Sequence, residues 1–82
     1  MKRYTILIER PSAPEESWGA HCPDLPGCVA VAPSEQEAID LMAEAVEFHL
    51  EGMLLHGEPI PEPTVRAVEL AVREPDPARL AA

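Results

Sequence analysis

Between Lys2 and Arg10 apolar and polar side chains alternate: Tyr4, Ile6 and Ile8 fall on one side, Thr5, Leu7 and Glu9 on the other. A period of two predicts a strand with one well-packed face. Residues 11–17 are polar and bounded by Pro11 and Pro14, which marks a loop. Trp18 to Cys22 alternates again, with Trp18, Ala20 and Cys22 on one side, and predicts a second strand. The segment Pro23-Asp24-Leu25-Pro26-Gly27 reads as a turn, because two prolines withhold backbone donors and Gly27 can take positive φ. Cys28 to Ala32 is small and β-branched, and predicts a third strand buried on both faces.

The period then changes. Ser34-x-x-Glu37 forms a capping box, in which the hydroxyl satisfies an orphan amide of the first helical turn. The helix is predicted over residues 35–55, stopping at Gly57, with Pro59 preventing re-entry. Ile39, Met42, Ala45, Val46, His49, Leu50 and Met53 share its core-facing arc. Glu37, Asp40, Glu44, Glu47 and Glu51 occupy another arc of about 80°. Between the two lies a heptad-spaced stripe of Leu41, Phe48 and Leu55. One helix on a small sheet cannot bury both apolar stripes, so this second one is a candidate subunit contact. Residues 57–63 form a stiff linker with prolines at 59, 61 and 63. Thr64 to Val72 alternates once more, with Val68, Leu70 and Val72 on one side, and predicts a fourth strand. The expected fold is α+β: β-β-β-α-β, a small, mainly antiparallel sheet with one long helix on one face. Residues 1–73 form the single domain in this reading and residues 74–82 a frayed tail.

Composition sharpens this picture. The 82 residues carry 15 acidic against 6 basic side chains, a net charge of −9. Lys2 is the single lysine and the arginines are scattered, which argues against direct binding to nucleic acid, where cations must displace counterions from phosphates. An acidic surface suits solubility or a basic partner. The core is thin, with one tyrosine, one tryptophan and one phenylalanine. A domain of this size rarely draws more than about 3–5 kcal/mol from its core, so self-association into a dimer or tetramer is the expected supplement. The opening apolar run ends at Glu9, too short for a signal peptide, and no run reaches the length of a membrane helix. The expected compartment is the cytoplasm, where Cys22 and Cys28 stay reduced.

The residues with chemical potential do not converge in the sequence. His21, Cys22, Cys28, His49 and His56 lack the spacing of a zinc site, and the cysteines read as small buried hydrophobes. His21 and Cys22 are adjacent on a strand and point to opposite faces, so the histidine cannot serve the thiol as a base. His49 and His56 read as structural, the latter facing the negative end of the helix dipole. A metal-dependent nuclease needs several acids around one point. Glu9, Asp24 and Glu69 are dispersed, and the five helix acids lie in a line about 5–6 Å apart. That line is either a solvated face or a docking face for a basic protein. The four glycines are isolated, the serines sit in loops or at the helix cap, and neither a phosphate loop nor a nucleophilic triad results.

One chain of motifs is specific. Pro23-Asp24-Leu25-Pro26-Gly27-Cys28, then Ser34-x-x-Glu37-Ala38, Glu44-Ala45 and Gly57-x-Pro59-Ile60-Pro61-x-Pro63, resembles the HicB-like antitoxin family. The resemblance implies a partial ribonuclease-H-like fold that forms dimers or larger oligomers; the ribonuclease-H likeness brings no catalysis, because the acids it needs are absent, and no cofactor or metal is expected. It also implies a partner, a HicA-like basic toxin of double-stranded-RNA-binding fold that cleaves mRNA and is blocked when bound. Members usually add a carboxy-terminal DNA-binding segment; with some ten residues after the fourth strand, this sequence is expected to lack that activity. The helix entry Val31-Ala32-Pro33-Ser34 also departs from the common pattern, a change confined to the local turn. Two other readings are an orphan oligomeric scaffold of the same fold and a degenerate metal-dependent nuclease.

Overall fold

The computed structural model describes residues 1–80. Three strands, β1 (Leu7–Glu9), β2 (Trp18–His21) and β3 (Val29–Ala32), form an antiparallel sheet in the order β1-β2-β3. The long helix α1 (Glu35–Leu55) packs on one face of it, which gives an α+β fold. The register pairs Ile8 with Ala20 and Ala20 with Ala30, placing a row of small and aliphatic side chains towards the helix. The neighbouring rows, Leu7–His21–Val29 and Glu9–Gly19–Val31, point the other way.

No element among the described residues covers that outer side. Val29 and Val31 are exposed, whereas Cys28 and Ala32 are buried, so β3 has one packed face rather than the two expected. β1 is shorter than its alternation suggests. Residues 2–6 lie beside the linker instead: Tyr4 Oη donates to the Pro61 carbonyl at 2.6 Å, and Thr5 Oγ1 to the Val65 carbonyl at 2.9 Å. Lys2 pairs with Glu62 in the same strip.

The helix bounds agree with the signals in the sequence. Ser34 is the N-cap; its Oγ accepts from the Glu37 amide at 3.2 Å and donates to the Glu37 carboxylate at 2.8 Å. At the other end His56 caps and Gly57 turns left-handed at φ +70. The Gly57 amide bonds Leu54 O at 3.1 Å and the Glu58 amide bonds Met53 O at 2.8 Å, the paired closure of a Schellman motif. The His56 ring donates from Nδ1 to the Gly52 carbonyl at 2.7 Å, alongside the His56 amide that bonds the same oxygen at 3.1 Å.

The buried core is Ala20, Cys22, Leu25, Cys28, Ala32, Ala38 and Met42. Of the expected helix arc, Met42 is buried, while Ala45, Val46, Leu50 and Met53 pack around it half-buried. The contact is turned towards Ala38, which is wholly buried, while Ile39 is exposed. A methyl group at position 38 lets the helix backbone approach the sheet closely, and a longer side chain there would lift it away.

Among the described residues the predicted fourth strand does not form. Residues 64–72 join no ladder, and Val65, Val68, Leu70 and Val72 are all exposed. The alternation is real, but it finds no sheet edge in its own copy. The expected frayed tail includes one ordered turn, α2 (Pro77–Leu80), started by Asp76, whose carboxylate accepts from the Ala78 amide at 3.0 Å. Ala81 and Ala82 lie outside the described residues.

Candidate partner-binding face and the linker clamp

Helix α1 presents the acidic row as its spacing requires: Glu37, Asp40, Glu44, Glu47 and Glu51 are all exposed. The row is not uniform. Glu37 is engaged by the cap, and Asp40 Oδ1 accepts from Gln36 Nε2 at 3.0 Å. Among the described residues the ion pairs are Lys2–Glu62 and His21–Glu9, neither of which touches the row. No basic residue occupies the last turn of the helix. Glu44, Glu47 and Glu51 therefore hold their charge towards solvent, and Glu51 does so next to the last turn, where the macrodipole is negative.

Leu41, Phe48 and Leu55 reach the surface together. Phe48 is 78% exposed and Leu55 85%. Below Phe48, a hollow of about 400 Å³ opens between the helix and the β3 side of the sheet, lined by Cys28, Val29, Ala45, His49, Met53 and their neighbours. A second and larger groove lies at the opposite edge, beside β1. Its volume is about 630 Å³, and Tyr4, Ile6, Ile8, Met42, Val46 and Leu50 supply most of its wall. Glu47 stands in its lining.

The Pro23–Cys28 motif does two jobs. It folds into a tight unit: the Leu25 amide bonds Cys22 O, the Cys28 amide bonds Leu25 O, both at 3.0 Å, and the Cys22 amide bonds Cys28 O at 3.2 Å. Gly27 takes φ +84, a left-handed conformation that a side chain would strain. This seats Leu25 in the core at 1% exposure. The second job falls to Asp24. Its carboxylate accepts from Thr64 Oγ1 at 2.8 Å and from the Thr64 and Val65 amides at 3.2 Å each. The turn thus clamps the end of the proline linker. Sequence reasoning had no access to this role, since the partners lie some forty residues away and carry no local signal.

The Thr64 hydroxyl holds the Asp24 carboxyl below the ordinary value of 3.8, opposed by desolvation and reinforced by the Val65 and Thr64 amides. A lowered carboxylate in the folded protein stabilises the clamp at every pH above the ordinary value, and that contribution fades as pH falls through the lowered one. The protection of the Thr64 and Val65 amides, measured relative to their intrinsic exchange at each pH, should therefore fall on acidification below the ordinary carboxylate range. Asp24→Asn should show the lower protection already at neutral pH and lose the acid limb. Equal protection in the two proteins at neutral pH would rule the clamp out.

The chemically reactive candidates are separated. Cys22 and Cys28 are free and buried, and burial pushes the Cys28 thiol up, with Cys22 adding to the shift. A buried protonated thiol is a poor nucleophile. His21 sits on the outer side of the sheet with its ring 4.0 Å from Glu9. Among the described residues no three His, Cys, Asp or Glu side chains gather where a metal ion would fit. Nor is any helix among them long and apolar enough to cross a membrane.

Comparison with known proteins adds an independent line. Residues 4–79 match a family model described as HicB_like antitoxin of bacterial toxin-antitoxin system. The UPF0150 protein ssr1765 of Synechocystis is 32% identical over 59 residues, which is 72% of this chain and 72% of that protein. A 14.9 kDa protein from the rep-hol intergenic region of Haemophilus phage HP1 is 32% identical over 73 residues, 89% of this chain. The alignment covers 51% of the phage protein's length. No solved structure matches significantly, so the architecture rests on the strands and helix described above.

Proposed function

The chain belongs to the HicB-like antitoxin family of bacterial toxin–antitoxin systems, and on that premise we propose that it binds and neutralises a HicA-like toxin without catalysing a reaction itself. The partner in this reading is a small basic protein that cleaves mRNA. The observation that carries the proposal is the family match over residues 4–79, which takes in the sheet, the helix, the linker and the arm beyond it. The net charge of −9 and the exposed acids of α1 support it, because a cationic partner is steered towards a line of solvent-facing carboxylates. The contact surface is Asp40, Glu44, Glu47 and Glu51, with Glu37 at its capped end.

Co-expression with the small basic protein encoded beside this chain tests the proposal. Cells survive and the two proteins co-purify at a fixed ratio. Cell death in the presence of folded antitoxin, with no complex recovered, ends the reading. A gene neighbourhood without such a basic protein favours an orphan oligomeric binding protein of the same fold.

The Leu41, Phe48 and Leu55 stripe is the second surface of the proposal, a contact between copies. Large apolar side chains aligned on one exposed helix face lose water when they meet their like. Phe48→Glu places a charge in the middle of that stripe and should lower the assembly mass measured by light scattering. A mass equal to wild type would remove the stripe as a contact.

A further inference from the structure

Two features of the single chain are incomplete in complementary ways. The arm of residues 66–73 alternates as a strand yet pairs with nothing, and its row Val68, Leu70 and Val72 is 65%, 78% and 78% exposed. The groove beside β1 is the larger and more apolar of the two openings that flank α1, and it lies between the helix and an edge strand that, among the described residues, has no partner strand on its outer side. The arm does not occupy it. The radius of gyration is 17.3 Å and the long axis 60 Å, against about 12 Å expected for the radius of a compact domain of this length.

We propose that the arm of one copy lies along β1 of a second copy as its fourth strand, with Val68, Leu70 and Val72 entering the groove, and that the exchange is reciprocal. Three observations select this occupant. The first is the hinge, where Pro59, Pro61 and Pro63 stiffen the linker and the Asp24 clamp fixes Thr64 and Val65, so the arm is launched outward. The second is charge: Arg66 and Arg73 flank the apolar row, with Glu69 on its other side, and the groove carries Glu47 beside the acidic face of α1 while its one lysine, Lys2, is already paired with Glu62. The third is chemistry, since the hollow on the β3 side is smaller and includes His49, His56 and Glu58 in its wall, whereas the β1 groove is walled mainly by aliphatic side chains. Reciprocal exchange closes on itself with two-fold symmetry and satisfies one open edge of each sheet. It also supplies buried apolar area that the small core lacks.

The proposal does not depend on a toxin, and purified protein tests it. Light scattering on the full chain should give at least twice 8.9 kDa, and Leu70→Asp should halve the mass while leaving the helical circular dichroism unchanged, since the arm lies outside the packed body. Isotope-filtered NMR on a mixture of labelled and unlabelled wild-type copies decides which molecule the arm touches. Methyl contacts from Val68, Leu70 or Val72 to Ile8, Ile39 or Leu50 should appear between copies. The same contacts found only within a copy would mean a closed monomer, and contacts from arm to arm would mean a different dimer; either overturns the proposal. So does an undiminished mass in Leu70→Asp. Phe48→Glu, on the opposite flank of α1, keeps the exchanged dimer, which separates this test from that of the helix stripe.

Discussion

Leu25→Ala leaves the protein largely unfolded at room temperature. Leu25 and Met42 are the two large side chains fully withdrawn from water, and Leu25 gets there through the Pro23–Cys28 turn. Truncating a buried leucine to alanine costs about 2–5 kcal/mol, the sum of lost transfer energy and the cavity left behind. A domain of this size holds about 3–5 kcal/mol in its core, so the single truncation consumes most or all of it. Leu25→Met conserves volume and should cost under about 1.5 kcal/mol. Urea titrations followed by circular dichroism at matched protein concentration would compare the three. A wild-type midpoint for Leu25→Ala would show that the turn is not what plugs the core.

The second large effect concerns the partner. Reversing Asp40, Glu44, Glu47 and Glu51 to lysine together should weaken binding of the HicA-like toxin by about 100-fold, chiefly by slowing association. Glu37 is left intact because its carboxylate takes the Ser34 hydroxyl at the cap. The reversal costs the helix little: Asp40→Lys gives up one exposed hydrogen bond from Gln36, while a lysine at 51 suits the negative end of the macrodipole better than the native acid does. Binding and folding therefore move independently, and the former is read by surface plasmon resonance at two salt concentrations. Affinity and salt dependence equal to wild type would mean that the toxin docks elsewhere and that the row is only solvated.

The helix was the most legible part of the fold, because both of its ends are written in local chemistry: Ser34 with Glu37 at the start, Gly57 and Pro59 after the end. The strands were legible as to existence and facing, and their lengths less so. β1 stops short because residues 2–6 meet the proline linker rather than a donor-rich neighbour. Two readings failed for a shared reason, that alternation says which side of a strand is apolar but not what covers it. Val29 and Val31 looked internal and face outward, and residues 64–72 looked like a strand and find no edge within the chain. Ala38 is buried and Ile39 exposed because closeness of approach to the sheet, not hydrophobicity alone, decides which side of the helix packs. Of the candidate site, the exposure of the acids and of Phe48 was readable from helical spacing. The Asp24 clamp was not, since a turn aspartate that reaches across the fold has the same local sequence as one that faces water.

The acids of α1 have a further consequence. In the free protein Glu44, Glu47 and Glu51 repel one another and Glu51 opposes the carbonyl end of the helix, with no basic side chain in the last turn to offset it. The later turns of the helix are thus held by packing and by the His56–Gly57 cap against a standing electrostatic strain. A cation brought to that face removes the strain at the moment of contact. If the proposed partner docks there, part of the helix's stability is in this sense deferred, and the bound molecule should be a firmer object than the free one without any change of shape.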